Sequence, residues 1–518
     1  MISPRRLEPD ELLKLAGTRV PPSTSYTRMF PGLPAQGATN PRLEQGLTEL
    51  GSKMIAAPTD RPDPQDPPPM QGYTYFGQFI DHDLTLDLTP LGAATRKVEQ
   101  TRNFRTPFLD LDQLYGGGPN LSPFLYRSDC RPGEERLLIG ETRPQNINGQ
   151  EFPLSRNDLP RNSEGIALTG DPRQDENLII AQLHVAFLKL HNRIMDCLEG
   201  GKIQNVGPKR ATLFEQARRL VTWHHQWVVR HDYLRQILDQ DVFGELPQDG
   251  KLRRTSLRAE FQIPVEFSAA AFRFGHSMVR NEYLINQKHL DASLKDDLLQ
   301  LTGTPGTARR AAPSLPADWV IDWKFFFLIE FEPDEVRHSS AIHPALAAGL
   351  HHLGEQTKLF NVPMVGAIQS STDRKIEMRH EPRLPVITLL RGARIGLPSG
   401  QSVAKRIVRQ RPGARIIGDE EIAHGPHEET LRKYRFHKDT PLWYYVLKEA
   451  EVLQKGARLG SVGSRIVANV ITRALATDAD SYIRVDPNWT PSLPARDSDP
   501  KMFGMADLLR FATGSTCA

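Results

Sequence analysis

A chain of 518 residues carrying 65 basic and 62 acidic side chains, a formal +3, is near neutral and long enough to bury a large core. With no basic stripe interleaved with aromatics, nucleic acid is excluded as a partner, and the longest apolar run, Trp323-Lys-Phe-Phe-Phe-Leu-Ile-Glu-Phe331, is too short and too charged to span a membrane. The amino terminus lacks the apolar core of a secretory signal. Three widely spaced cysteines, Cys130, Cys197 and Cys517, form no CxxC and predict free thiols, hence a cytoplasmic location or export without a cleaved leader.

In chain order, residues 1–69 read as a polar, Pro-rich extension wrapping the core. It holds a helical patch at Glu11–Ala16 and six prolines between Pro58 and Pro69, which are incompatible with a helix interior. Tyr73–Thr85 reads as a helix. There Gln78, Asp81 and His82 stand at i, i+3 and i+4 and share one face. Asp83 is rotated by roughly 100° from His82, and Phe76, Phe79 and Ile80 surround the polar wall.

Phe104–Tyr115 is an acidic loop running into the turn Gly116-Gly-Gly-Pro119, and 120–165 reads as loops and short strands. Asp171 as N-cap, Pro172 at N1 and Gln174 at capping-box spacing predict a helix continuing to Leu198. Further helices are expected at about Ala211–Leu238, Ser268–Arg280, 345–359 and Pro441–Ala476, with 284–345 less regular. The reading is a mainly α protein: one large helical domain over 70–480 with long loops and little β, and a tail over 481–518.

The chemistry begins at the second helix. Arg173 and Glu176 lie three apart on one face, a spacing that by itself describes a surface ion pair. Beside His82, however, the guanidinium supplies a fixed cation next to a general base. That pairing suits cleavage of a peroxide O–O bond. No thiol pair or nucleotide-binding GxGxxG is present to supply electrons, so haem iron with one axial imidazole is the natural source. His276 suits the ligand role, because Ala269, Ala270, Ala271 and Gly275 let a flat ring approach its helix. Taken alone, His276 reads more readily as a satisfied core histidine than as a ligand. His184 and His191 lie two turns apart, roughly 10 Å, too far to share a metal. His224, His225 and His231 read as packing or solvated residues.

Seven segments then carry a resemblance. Gly77-Gln-Phe-Ile-Asp-His-Asp83, Gly170-Asp-Pro-Arg-Gln-Asp-Glu176, Leu190-His-Asn-Arg193, Ala271-Phe-Arg-Phe-Gly-His276, Arg391-Gly-Ala-Arg-Ile-Gly-Leu-Pro398, Pro441-Leu-Trp443 and Gly456-Ala-Arg-Leu-Gly460 span roughly residues 70 to 475. In that order the chain resembles the animal-type haem peroxidases of the peroxidase–cyclooxygenase superfamily, and among them the bacterial members. The resemblance implies haem b and a peroxidase that reduces hydrogen peroxide. Phenols, iodide, bromide or thiocyanate would then be oxidised through a ferryl intermediate, in a response to oxidative stress.

It also implies site roles. His82 is the distal acid–base residue, Arg173 its electrostatic partner and Gln78 a distal hydrogen-bond donor. His276 is the iron ligand, and Asp81 and Glu176 occupy ester-forming positions. Arg273 and Arg391 meet the haem propionates. Thr388 stands where the family has an asparagine accepting from the proximal imidazole, and Asn177 replaces the sulfonium-forming methionine, against chloride oxidation. Calcium is implied at Asp83, Thr106, Phe108 (through its carbonyl), Asp110 and Asp112, oxygen donors of the kind that ion takes. Two other functions fit the same fold: a fatty-acid dioxygenase, whose radical tyrosine would stand at Arg273, and a non-catalytic haem- or calcium-binding module.

Overall fold

The computed structural model describes residues 24–37, 40–56, 67–208, 210–247, 261–294, 298–299, 314–330, 336–351, 383–410 and 414–514. The patches expected at 11–16, 58–66 and 352–359 lie outside these residues. We name the longer helices α1 (Pro41–Lys53), α2 (Gly72–Leu84), α3 (Leu178–Glu199), α4 (Leu213–Val228), α5 (Leu384–Arg394), α6 (Gly400–Gln410), α7 (Leu442–Gln454), α8 (Ser461–Thr477) and α9 (Met505–Thr513). Among the described residues, strands occur only as three two-stranded antiparallel pairs: Thr24–Ser25 with Arg102–Asn103, Gln145–Ile147 with Gln150–Phe152, and Glu282–Tyr283 with Ala292–Ser293. The fold is mainly α, as expected. None of the described helices is long and apolar enough to cross a membrane.

Helix α2 is the hub. It packs on α3, on the 3-10 turn Pro172–Asp175, on the short helix Asp112–Tyr115 and on the short helix Gly275–Met278. Nearly all of its side chains are buried, so even its polar residues must find partners inside the protein. Gly77 makes this packing possible, since a Cβ there would stand 2.4 Å from the Tyr233 hydroxyl. Tyr233 reaches that position because α4 passes into a π-turn at Val229–Tyr233. The turn sets its ring edge-on to Phe76, with centroids 5.7 Å apart. Helix α3 packs against α2, α4 and α9, which explains why it is apolar on nearly every face.

Three expectations need correction. The helix read from Asp171 to Leu198 is two elements. Asp171 caps only the 3-10 turn Pro172–Asp175, and Asn177 restarts the chain as the N-cap of α3, its side chain accepting from the Ile180 amide. The helix read over Ser268–Arg280 is three short pieces, Val265–Ser268, Ala271–Phe274 and Gly275–Met278. Phe267 stacks on Phe272, with centroids 4.5 Å apart and planes 17° from parallel. Residues five apart on a continuous helix point roughly 140° from each other, so that stack requires the break at Ala270. Finally, the cysteines are not all free thiols. Cys130 is free, whereas buried Cys197 on α3 is disulfide-bonded.

Candidate active site

Residues from three elements meet at the exposed edge of α2's polar face. His82 is 3% exposed. Burial, reinforced by the Arg173 cation, pushes its imidazole well below the usual histidine range, so it is neutral. Its Nδ1 is enclosed without a hydrogen-bond partner, while Nε2 lies 3.7 Å from Glu176 Oε1. Gln78 donates to the same Glu176 oxygen and accepts from Asn177 Nδ2 at 3.3 Å. Burial, with Asp171 and Asp81 nearby, pushes Glu176 up to about 8 against the opposing pull of Arg173. Asp81 accepts from the Thr85 hydroxyl at 3.0 Å and is likewise raised by burial.

Arg173 is fixed from two sides. Buried Asp171 receives its amide, Nε and Nη2 at 2.9, 3.1 and 2.7 Å. Its Nη2 also donates to the carbonyls of His82 at 3.3 Å and Thr85 at 2.6 Å, the acceptor-rich C-terminal end of α2. Nη1 stands 3.9 Å from Asp81. The side chains of Gln78, Asp81, His82, Arg173 and Glu176 are therefore brought together. By its spacing in the sequence Asp171 reads only as a helix cap. It is that, and it is also the carboxylate that immobilises the guanidinium, a role for which the sequence offered no spacing signal.

His276 lies on the short helix packed against α2. Its ring is 6.1 Å from Trp443 at 76°, and Trp443 Nε1 donates to the Arg273 carbonyl at 3.1 Å. Burial, then the Arg273 charge, pushes the imidazole down to about 3. Its Nδ1 is enclosed and unpartnered. The Thr388 hydroxyl donates to Leu384 O at 2.9 Å, one turn back on α5, so it makes no hydrogen bond with that nitrogen. Beside His276, a Cβ on Gly275 would meet nothing within 4 Å. Two enclosed imidazoles with unpartnered Nδ1 atoms, and open space at Gly275, fit a flat metal-bearing ring between adjacent elements. An imidazole lacking a proton is the form that binds iron.

Arg273 donates through Nε to Ser268 O at 2.9 Å, and burial together with the Arg391 charge lowers its guanidinium's affinity for its proton. Arg391 is already engaged, by Asp87 at 2.9 Å and the Thr89 carbonyl at 3.1 Å. Asp81, Asp87 and Tyr26 share the electrostatic environment of these arginines. Asp87 and Tyr26 were not expected here.

The second cluster lies on the other side of α2. Carboxylate oxygens of Asp83, Asp110 and Asp112 all fall within 4.8 Å of one another. Leu111, between the last two, is in the left-handed region at φ 59°. That conformation costs a non-glycine residue roughly 1–2 kcal/mol, and here it bends the loop so that both carboxylates converge. Thr106 donates its hydroxyl to Asp110 at 2.8 Å and its amide to Asp112 at 3.4 Å. Phe108 is half-buried in the same loop, packed on the core. Asp83 is fully buried, and neither of its oxygens makes a good hydrogen bond.

Burial and the two neighbouring carboxylates push Asp83 far up. Burial pushes Asp112 up to about 7, Arg105 opposing and Asp110 assisting. Three carboxylates at this spacing, two buried and the third half-buried, fit a hard cation, which would remove their repulsion. His225 is not solvated. It is buried, ringed edge-on by Phe76, Phe79 and Phe187 at 5.8, 6.0 and 5.7 Å, and its Nε2 faces Asp83 at 3.4 Å.

With this geometry in hand, comparison with known proteins separates class from family. In fold, the chain is similar to peroxidase A from Dictyostelium discoideum (TM-score 0.60, 16% identity, 95% of this chain and 93% of that one). It is also similar to a fatty acid alpha-dioxygenase from Arabidopsis thaliana (TM-score 0.57, 13% identity, 95% and 76%). In sequence, residues 89–304 match the family model of the animal haem peroxidases, a stretch that includes Arg105 to Asp112, Arg173, Glu176, Arg273 and His276. Thyroid peroxidase of Canis lupus familiaris is 29% identical over 191 residues, 35% of this chain, and the chain spans about a fifth (19%) of that relative's length. Over these stretches the chain is similar to the animal haem peroxidases.

Proposed function

We propose that this chain is a haem peroxidase that reduces hydrogen peroxide and oxidises small donors such as phenols, iodide, bromide or thiocyanate. One observation carries the reading: a buried, neutral His82 beside a guanidinium locked in place by Asp171, with a second imidazole, that of half-buried His276 with its Nδ1 enclosed, on the element packed against the same helix. Haem, held through His276, would supply the iron redox chemistry.

The remaining work falls to the chain's own groups. His82 Nε2 takes the proton from one peroxide oxygen and returns it to the other, which then leaves as water. A neutral imidazole is the form able to begin that transfer. Arg173 stabilises charge building on the departing oxygen, and because Asp171 holds it beforehand, little reorganisation is needed at the moment of reaction. Gln78 and Glu176 orient peroxide or halide next to Nε2. Arg273 and Arg391 are the cations for the haem propionates, with Asp87 the carboxylate that Arg391 must share or release. Thr388 occupies the position of the family's asparagine. Asp81 and Glu176 are the candidate ester positions. Asp83, Thr106, Phe108, Asp110 and Asp112 form the candidate calcium site that pins α2, and residues 70–480 form the catalytic domain.

The test is peroxide-dependent oxidation of a phenolic dye by the purified holoprotein. Wild type is expected to turn over, and His82→Ala to lose about two to four orders of magnitude in rate, as expected for a missing general base. Identical rates for the two would overturn the reading. The likeness to an alpha-dioxygenase fold supports a second reading, oxidation of fatty acids. Arg273 and Phe274 offer no phenol three residues before His276, and oxygen uptake with linoleate would revive that alternative.

A further inference from the structure

The two clusters on α2 are joined by a second route that does not run through α2. Arg105 donates through Nη1 to Asp112 Oδ1 at 3.2 Å and through Nη2 to the Gly170 carbonyl at 3.0 Å, and its Nε stands 3.0 Å from Asp171 Oδ2 as an ion pair. Asp171 in turn holds Arg173. The result is an unbroken run of alternating charges, Asp112, Arg105, Asp171 and Arg173. Three of the four side chains are no more than a tenth exposed, and Asp112 is 13% exposed. In so dry a setting each pair is strongly coupled to the next.

We propose that Arg105 is a positioning residue that transmits the state of the Asp83–Asp110–Asp112 cluster to Arg173. Occupation of the cluster by a divalent cation thus sets the guanidinium beside His82. This rests on the cation reading given above and goes beyond it, since there the ion only pins α2. When a cation takes up the charge of Asp112, Arg105 loses its competing partner and bears fully on Asp171. With the cluster empty, Asp112 and Asp171 compete for Arg105, and the anchor of Arg173 is pulled between them. Linkage makes the effect reciprocal: a change at Arg173 alters cation affinity at the cluster by the same factor that the cation alters Arg173.

The experiment measures calcium affinity by calorimetry on the full chain, in wild type, Arg173→Gln, Arg105→Met and the double variant, each checked for native circular dichroism. Arg105→Lys serves as a second probe should Arg105→Met fail to fold, because it keeps the charge but cannot bridge both carboxylates. The expected result is that Arg173→Gln changes the calcium Kd by about five-fold or more in the wild-type background. In the Arg105→Met or Arg105→Lys background the same substitution changes it by less than two-fold.

An equal change in both backgrounds, or none in wild type, overturns the proposal. Absence of calcium binding in wild type overturns it together with the cation site. The readout does not involve haem or turnover, so the peroxidase reading stands or falls separately.

Discussion

Replacing Asp171 with Asn tests how much of the candidate site one carboxylate supports. Its oxygens, fully buried, accept from the Arg173 amide, Nε and Nη2 between 2.7 and 3.2 Å, and Arg105 Nε stands 3.0 Å from Oδ2 as an ion-pair contact. Asparagine has nearly the same shape, but it presents an amide N–H where the Oδ2 charge faced two guanidinium groups. Arg173 then faces a donor and loses its main counter-charge, keeping only Asp81 at 3.9 Å, while Arg105 retains Asp112, a loss of about 3–5 kcal/mol. Relief of the carboxylate's own desolvation is already contained in that figure.

Set against a total stability of about 5–15 kcal/mol, this is a large fraction. The pH dependence gives an internal check. Burial would raise the Asp171 carboxyl, but Arg173 and Arg105 outweigh it and hold the group well below the usual carboxylate range. A depressed folded pKa contributes stability above the unfolded value, and that stability is lost only as pH falls through the folded value. The penalty of Asp171→Asn is therefore constant from pH 5 to 8. Urea unfolding followed by circular dichroism measures it, and a loss below about 1 kcal/mol would refute the view that this carboxylate anchors the site.

Other outcomes follow from the packing. Buried Glu449 on α7 accepts from the Val462 and Gly463 amides at the start of α8, and burial pushes it up to about 8 from an ordinary 4.5. The native state therefore binds the extra proton, and stability falls as pH rises between about 4.5 and 8, by up to about 1.4 kcal/mol per unit. In Glu449→Gln that component disappears, and an unchanged slope in denaturation curves would contradict the assignment. Gly77→Val drives a side chain into the Tyr233 hydroxyl, 2.4 Å from where its Cβ must lie. A loss of about 1–3 kcal/mol is expected, visible as a lowered melting temperature, and a variant as stable as wild type would show that the α2–Tyr233 approach is looser than described.

What could be read from the sequence was what regular spacing encodes. The polar face of α2 followed from Gln78, Asp81 and His82 at helical intervals, and Asp171 announced a helix start. Contacts across the fold left no such trace. Nothing in the spacing of Arg105 and Asp171 says that one guanidinium bridges two acidic groups. Nothing in His224-His225 says that the second ring faces Asp83. Ala269–Ala271 favour helix by propensity, yet a stack between Phe267 and Phe272 breaks the run. The first helix did carry signals that went unread: Asn40 as N-cap, accepting from Leu43, with Pro41 at N1. Those signals sit in a polar stretch that otherwise resembles a loop, and the packing of α1 on α5 is what holds it helical.

The central claim is that a porphyrin sits between the element bearing His276 and the face bearing His82. One ultraviolet–visible titration tests it: haemin added to the purified chain and to His276→Ala, each followed by hydrogen peroxide. The account predicts a sharp Soret band in wild type that shifts on peroxide addition, and a weak, unshifted band in His276→Ala. Equal spectra from the two proteins, or no bound haem in either, would contradict it.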